Sequence, residues 1–399
     1  MARAQIDPAR QNRLLSTARE IVERFGARPA GSPAERQTAE YVRDRLDSAG
    51  VQADLQPVEV ATQPHLPQII AYGLLVSASI ILTYSAPLAA AAALAGVSIL
   101  ATEAAAIPAL SRWLPRARSH NVIGRRAANG SPLRAIVFVA HLDTAQPTLF
   151  SAPRAALIQR QALLFAFNAG VIILVLAVVA VFSPLSGFVW VAFAAGLYLI
   201  FHLGVLVHGV LNLPRSPGAN DGASGLAVLI ELAETLPRLE QTETWIVATA
   251  GHETGMAGQR AFLASFRLRQ ASTLLVNLAG VGSGTVTISL MEGMVRSVPV
   301  PRKVLGLAGD VVAELGLPVR ARPYQDSNSA AYLALRSGMP AVTVHALDRR
   351  GAVPNRHWIT DTPDRLEPST LEVAAQLAQG LAAKLDEELL TAGRLRMEG

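Results

Sequence analysis

The sequence predicts a mixed α/β domain whose central, mainly parallel sheet carries helices on both faces, together with four transmembrane helices in two inserted hairpins. Short β-branched segments alternate with segments of helical period along most of the chain, which is typical of such a sheet. Two long apolar stretches interrupt this alternation. The 399 residues are 51% hydrophobic and only 16% charged, whereas roughly 25% is charged in a typical soluble domain.

The apolar stretches, residues 66–110 and 161–210, each break near the middle at a short turn. Each half is long enough for a helix to cross a hydrocarbon core of roughly 30 Å. Arginines cluster outside the stretches and the turns carry none, which favours membrane spans over buried helices of a soluble protein. The weakest of the four spans is Leu88–Leu110, because it is Ala-rich and contains Glu103, which must face protein or be protonated.

Each hairpin leaves the membrane on the side where it entered, so the remaining pieces, residues 1–65, 111–160 and 211–399, can form one domain. The net charge of +5 lies largely in arginines close to the apolar segments, which favours a lipid bilayer and not nucleic acid as the partner. No apolar signal-peptide core is found near the N-terminus. We therefore expect a multi-pass membrane protein, in bacterial style with the domain on the cytoplasmic side of the inner membrane.

The individual elements follow from their periodicity. Residues 11–50 have helical period around a Gly/Pro-rich turn, after an N-terminus that predicts a surface helix. Residues 221–236 and a closing helix from Pro368 to about Leu390 also have helical period. The predicted strands are VQADLQPVEV, NVIGRR, LRAIVFVAH, TWIVATAG, TVTISL and PAVTVHAL.

Polar side chains that could bind a metal ion follow several of the predicted strands. The chain has no cysteine, which excludes thiol nucleophiles and Cys-ligated metal sites. Read along the chain, the strand ends and loops offer a set of nitrogen and oxygen ligands that suits Zn²⁺, namely His141, Asp221, Glu253 and His357. Asp143, two residues beyond His141, is placed to orient that imidazole through its other nitrogen.

These segments resemble the co-catalytic zinc aminopeptidases and carboxypeptidases of metallopeptidase family M28. AHLDT is similar to the first metal-ligand motif, GANDGASGLAVLIELAETL to the bridging-aspartate turn and helix, GHETGMAGQRAF to the Glu-Glu motif, and NRHWITDTPDRL to the closing segment. The resemblance implies a zinc exopeptidase-like fold, a peptide substrate and one or two zinc ions. It places Asp221 at the bridging position, Glu253 and His357 in one metal site, and His141 in the other.

Two positions depart from the family pattern. His252 stands where the family has the glutamate that takes the proton of the metal-bound water, so it is a general base, an additional ligand or a remnant of a lost activity. Ala279 stands where the family has an aspartate of the second metal site.

Three interpretations follow. In the first, one zinc ion held by Asp221, Glu253 and His357 works with His252 as the base. In the second, two ions bind with a substitute ligand, either His252 or a residue of the loop 324–328. In the third, the protein is a catalytically inactive membrane-bound peptide-binding or scaffold protein. Since the second hairpin lies between His141 and Asp221, the mouth of the site is expected near the bilayer, which favours a hydrophobic or membrane-proximal substrate.

Overall fold

A computed structural model of the chain describes residues 7–183, 187–266, 268–325 and 327–397, with side chains up to residue 388. The predicted N-terminal helix therefore lies partly outside the described residues, and so does most of the turn of the second hairpin. The described part contains one nine-stranded sheet in the order β1-β2-β4-β3-β5-β9-β6-β7, with β8 paired to β6. The strands are β1 Gln52–Ala61, β2 Arg116–Arg126, β3 Arg134–His141, β4 Thr242–Thr249, β5 Thr273–Leu278, β6 Thr285–Glu292, β7 Val298–Pro299, β8 Arg320–Tyr324 and β9 Ala341–Leu347.

The sheet is parallel at its centre and largely antiparallel at its margins. Strands β4, β3, β5 and β9 run parallel to one another, and β4, β5 and β9 are buried along their whole length. A parallel strand covered on both faces needs such a continuous apolar run. The prediction of a mixed sheet with a mainly parallel centre is confirmed. Strands β2 and β6 join this centre through antiparallel pairing with β4 and β9, and β1 is antiparallel to β2.

Helices cover both faces of this sheet. On β3, Ile136 and Phe138 point into one apolar cluster, whereas Val137 and Val139 point into another. The first cluster includes side chains of α1, α2, α7, α9 and α11, and the second those of α8 and α10. The helices are α1 Pro8–Phe25, α2 Pro33–Ser48, α3 Leu66–Ile81, α4 Ala86–Ala104, α5 Gln159–Phe182, α6 Val189–Asn212, α7 Ser224–Thr235, α8 Ala257–Ser265, α9 Arg302–Leu315, α10 Ala330–Arg336 and α11 Pro368–Met397.

Three of the four predicted membrane spans meet the requirements of length and hydropathy. These three correspond to α4, α5 and α6. The fourth, α3, is apolar but has 16 residues, about 24 Å at 1.5 Å per residue, which is shorter than a hydrocarbon core of roughly 30 Å. The expectation that the Ala-rich helix would be the weakest span was wrong, since α4 qualifies and α3 does not.

Helices α3 to α6 pack as a bundle with small residues at their contacts. A Cβ atom on Gly96 would lie 2.9 Å from the carbonyl oxygen of Ala71, and one on Gly170 would lie 2.8 Å from a methyl group of Leu75. The outward-facing side chains are large and apolar, as in Phe165 and Trp190, which are 64% and 71% exposed. Close backbone approach combined with an apolar exterior is the pattern of helices that pack in lipid.

Glu103 lies at the end of α4 that faces the α/β domain. Its carboxylate accepts hydrogen bonds from the backbone N–H groups of Leu110 and Ser111 and from the Ser111 hydroxyl. As expected for a carboxylate in this apolar stretch, it faces protein.

Replacing Gly258 with alanine should lower the stability of the α/β domain by roughly 3 kcal/mol. Gly258, the second residue of α8, belongs to a closed set of hydrogen bonds with Asn121 and Ala250, and a Cβ atom there would lie within 3.0 Å of both residues. Melting temperatures in detergent would measure the effect.

The matched control is Gly306→Ala in α9, where nothing lies within 4 Å of the added Cβ and stabilisation of up to about 1 kcal/mol is expected. Equal melting temperatures for the two variants would contradict this account.

Candidate metal centre

The candidate ligands are carried by loops at one edge of the sheet. His141 is the last residue of β3, and Glu253 follows β4, its parallel neighbour, by four residues. Asp221 lies in a single π-helical turn, Ala219–Ala223, that leads into α7. His357 belongs to the loop after β9. Because parallel strands end at the same edge of a sheet, these four residues can meet there.

The structure brings all four predicted ligands together. One ligand atom each from His141, Asp221 and Glu253 lies within 4.8 Å of the others. The Nε2 atom of His357 is 3.4 Å from Asp221 Oδ2 and 3.4 Å from Glu253 Oε2. His357 itself has a left-handed backbone with φ of +58°, which is uncommon for a residue with a side chain and indicates a position held by its surroundings.

The facing atoms fit a metal ion. Asp221 Oδ2 and His357 Nε2 are buried, and neither has a hydrogen-bond partner among the described residues. Buried polar atoms without partners are costly and rare in folded proteins. A cation between them would satisfy both atoms, and a set of two carboxylates and an imidazole suits Zn²⁺.

Asp143 contacts both His141 and the loop that carries Glu253. Its carboxylate oxygen Oδ1 is 3.7 Å from His141 Nδ1. The backbone carbonyl oxygen of Asp143 is closer, at 2.9 Å. The carboxylate also accepts hydrogen bonds from the backbone N–H groups of His252 and Glu253, at 2.9 and 2.8 Å. Asp143 therefore orients the imidazole through its main chain and holds the Glu253 loop through its side chain.

Two buried residues that the sequence did not single out hold the Asp221 turn. The Asp361 carboxylate accepts hydrogen bonds from the backbone N–H groups of Asn220 and Asp221, at 2.7 and 3.1 Å. The fully buried guanidinium of Arg28 donates to the backbone oxygens of Leu142 and Gly218, at 2.9 and 3.1 Å. Asp361 could have been suspected from its place four residues after His357. Arg28 stands alone in the turn GARPAG, and no pattern there indicates a long-range contact.

Glu35 is another buried acid, and it holds the turn before Glu253. Its carboxylate accepts hydrogen bonds from the backbone N–H of Gly251, at 2.9 Å, and from the Ser119 hydroxyl, at 2.6 Å. Burial, and then the charge of Asp143, raise the pKa of the Glu35 carboxyl above its usual range. The loop that carries Glu253 is thus fixed by two carboxylates from separate parts of the chain.

His252 lies beside the ligands and outside their cluster. Its ring stacks on that of His141, with centroids 4.6 Å apart and an interplanar angle of 20°. Burial, and then the proximity of His141, lower the pKa of His252 to about 4. The imidazole is therefore neutral at pH 7 and can accept a proton, although as a weak base.

Ala279, at the predicted position of a second-site ligand, supplies no ligand side chain. Ala279 follows β5, is 9% exposed and offers only its methyl group. Of the loop 324–328, Asp326 lies outside the described residues, and Ser327 lines a cavity next to Glu253 and His357.

Comparisons with known proteins agree with the fold. Residues 202–382 match the model of peptidase family M28. Solved structures with the same fold include a zinc aminopeptidase from Bacillus subtilis, with a TM-score of 0.57 at 12% identity over 95% of this chain and 96% of that one. An aminopeptidase from Aneurinibacillus sp. strain AM-1 has a TM-score of 0.56 at 15% identity over 93% of both chains. A glutaminyl cyclase from an Acidobacteriales bacterium has a TM-score of 0.56 at 14% identity over 97% of this chain and 99% of that one. Among curated protein sequences, none matches the chain significantly.

Proposed function

Since residues 202–382 match the model of peptidase family M28, we propose that the chain is a membrane-anchored, zinc-dependent exopeptidase of the aminopeptidase type, which hydrolyses peptide or amide bonds. The observation that carries this proposal is the convergence of Asp221, Glu253 and His357 on one point, with two of the facing atoms buried and unpartnered. The test is the zinc content of the purified full-length protein, measured together with aminopeptidase activity in detergent.

At such a site some residues of the chain would bind the metal ion, and others position the residues that bind it. Asp221, Glu253 and His357 would hold a zinc ion, which when bound polarises a substrate carbonyl and lowers the pKa of a coordinated water. Asp143 fixes the backbone of Glu253, and Asp361 fixes that of Asp221. Fixing the ligand loops before substrate arrives lets the site react without first reorganising.

We assign to His252 the acceptance of the water's proton. Its neutral imidazole is next to His141, and its backbone is held by Asp143. The low pKa makes it a weaker base than a carboxylate tuned for the same task, because a general base works best with a pKa near the working pH. A slow peptidase is the expected consequence.

Replacing His252 with alanine should lower kcat by roughly 10²-fold, the lower end of the usual contribution of a general base, and should leave the zinc content unchanged. His252→Glu should retain activity or raise it, because a carboxylate can take the same proton. The measurement is kcat with an aminoacyl amide substrate, and His120→Ala on β2 is the control. A loss of zinc in His252→Ala would instead show that His252 is a ligand.

The alternative to an enzyme is a peptide-binding or scaffold protein that has kept the fold and lost the chemistry. The replacement of two family positions by His252 and Ala279 favours it. Unmodified protein that binds no zinc and cleaves no substrate would establish this alternative over the peptidase.

We further propose that α3 to α6 anchor the domain in a bilayer, with the site at the membrane surface and peptide substrates reaching it there. Support comes from three helices of sufficient length and hydropathy and from the apolar outer side chains of the bundle. The arginine bias around the hairpins favours the cytoplasmic side for the domain, in bacterial style at the inner membrane. A reporter fused to the C-terminus should be active only in the cytoplasm, and an extracytoplasmic signal would reverse this orientation.

A further inference from the structure

Two adjoining cavities separate the metal centre from the helix bundle. Their volumes are about 280 and 200 Å³. Both are lined by Tyr72 of α3, Leu163 of α5, Met294 and the candidate ligand Glu253. The smaller cavity also reaches His357. Together, the two adjoining cavities make up a space that borders the metal centre.

This space extends into the bundle. Tyr72 lies six residues after the start of α3, and Phe167 lies eight residues after the start of α5. At 1.5 Å per residue these side chains are about 9 and 12 Å from the ends of their helices. From α6, His202 and Leu206 complete the wall. A group bound at the metal centre could thus extend between the membrane helices.

The lining of both cavities is mainly apolar. Apart from Glu253 and Arg356 it contains two charged side chains, Glu103 and Arg160, and both already have hydrogen-bond partners. Glu103 accepts hydrogen bonds from Ser111, and Arg160 donates to the backbone oxygen of Met294. The wall of the larger cavity also contains Gln68 and Asn328, and most of the rest is formed by hydrophobic side chains, among them Ile99, Leu100, Leu163, Leu164, Phe167 and Val295. A mainly apolar pocket with few polar groups selects an apolar ligand.

We propose that this space is a specificity pocket for a large apolar side chain of the substrate, the one carried by the residue whose carbonyl lies at the metal centre. The proposal rests on the peptidase function proposed above. It assigns to α3, α4, α5 and α6 a role in substrate recognition as well as in anchoring, and it defines the substrates as peptides that begin with residues such as Phe or Leu.

The test compares the binding of phenylalanine hydroxamate and glycine hydroxamate to the full-length protein in detergent by calorimetry. Both compounds can chelate the metal, and only the first fills the pocket. Burial of the aromatic side chain should make phenylalanine hydroxamate bind about 10- to 100-fold more tightly. Leu163→Trp should remove most of this ratio and leave glycine hydroxamate binding unchanged, which also shows that the variant is folded. The control is Val175→Trp on the same helix, at a side chain that is 53% exposed.

The outcomes separate the pocket from the function on which it rests. Equal affinity for the two hydroxamates, or a ratio that Leu163→Trp does not change, would overturn the pocket and leave the metal centre intact. Failure of both compounds to bind would overturn the zinc peptidase itself and the pocket with it.

A second inference comes from the other oxygen of Asp221. While Oδ2 faces His357, Oδ1 lies 3.6 Å from Nε of Arg356, whose side chain is 12% exposed. The loop that carries Arg356 packs against the end of β5, since a Cβ atom on Gly280 would lie 2.6 Å from Val353. Gly280 follows Ala279, the position without a carboxylate. A permanent positive charge therefore lies next to Asp221, on a loop that packs beside the segment without the carboxylate.

We infer that the Arg356 guanidinium takes the place of a second metal ion, so that the centre holds one zinc ion. Arginine stays protonated in proteins, and its charge beside Asp221 opposes the binding of another divalent cation there. Zinc stoichiometry in excess zinc, measured by elemental analysis after gel filtration, tests this inference. The unmodified protein and Ala279→Asp should each bind one zinc ion per chain, and the double variant Ala279→Asp/Arg356→Met should bind two.

Two zinc ions in the unmodified protein, or one in the double variant, would overturn this inference. The variant Ala279→Asp/Arg356→Lys is the matched control, because it keeps the positive charge and should stay at one. Protein without any zinc would instead contradict the proposed zinc centre.

Discussion

Replacing Asp221 with alanine is expected to abolish zinc binding and peptidase activity together. Asp221 faces His357 at 3.4 Å and belongs to the same cluster as His141 and Glu253. Without it the centre keeps one carboxylate and loses the group that faces both His357 and Arg356. The fall in zinc affinity should be well beyond the roughly 10- to 100-fold loss that follows removal of a residue that only supports a ligand. Zinc content and kcat/KM, measured on the same preparation, give the result.

The matched control is Asp364→Ala, at an exposed aspartate three residues beyond Asp361. It should keep the zinc content and activity of the unmodified protein. Glu253→Ala should behave like Asp221→Ala, and both variants should remain folded by circular dichroism. Full zinc content in Asp221→Ala would contradict the assignment of this residue as a ligand.

Replacing Arg28 with methionine is expected to cost roughly 3–5 kcal/mol of unfolding free energy, as for removal of one partner from a buried charged network. The guanidinium is fully buried and donates to the backbone oxygens of Gly26, Leu142, Pro217 and Gly218. Burial lowers the pKa of Arg28 to about 10, so the side chain is charged at pH 7. Methionine has similar length but leaves these oxygens without donors, and buried acceptors without donors are costly.

Chemical unfolding in detergent, followed by tryptophan fluorescence, measures this loss. Arg118→Met is the control, because the Arg118 side chain is 84% exposed and an exposed substitution should change stability by no more than about 0.5 kcal/mol. Arg28→Met should also weaken zinc binding, since Arg28 links the segments that carry His141 and Asp221. Unchanged stability would contradict the role assigned to the buried guanidinium.

The strands could be predicted because their burial leaves a local pattern. Segments such as LRAIVFVAH and PAVTVHAL are continuous apolar runs, and they form β3 and β9, which are buried on both faces. The strands β7 and β8 carry weaker signals, since β7 has two residues and most of β8 is exposed. Helix α3 illustrates a different limit: its composition is that of a span, but its length depends on where the backbone hydrogen bonds end.

The candidate ligands could be proposed from residue type and order alone, because metal ligands must be His, Asp or Glu in a chain without cysteine. Apart from the placement of Asp143 next to His141, their supporting contacts could not. Asp143 uses its carbonyl for His141 and its carboxylate for two backbone N–H groups, and nothing in the sequence distinguishes these uses. The contact between Arg356 and Asp221 likewise joins positions 135 residues apart.

The sequence by itself therefore determined the α/β class, the apolar hairpins and the identity of the candidate ligands, because burial, hydropathy and ligand chemistry are properties of single residues and short segments. Only the tertiary structure decided that Asp361 and Arg28 hold the Asp221 turn, that Arg356 lies beside Asp221, and that a cavity leads from Glu253 into the bundle. Each of these depends on distances between distant segments, which the packing of the whole chain sets and no local pattern encodes.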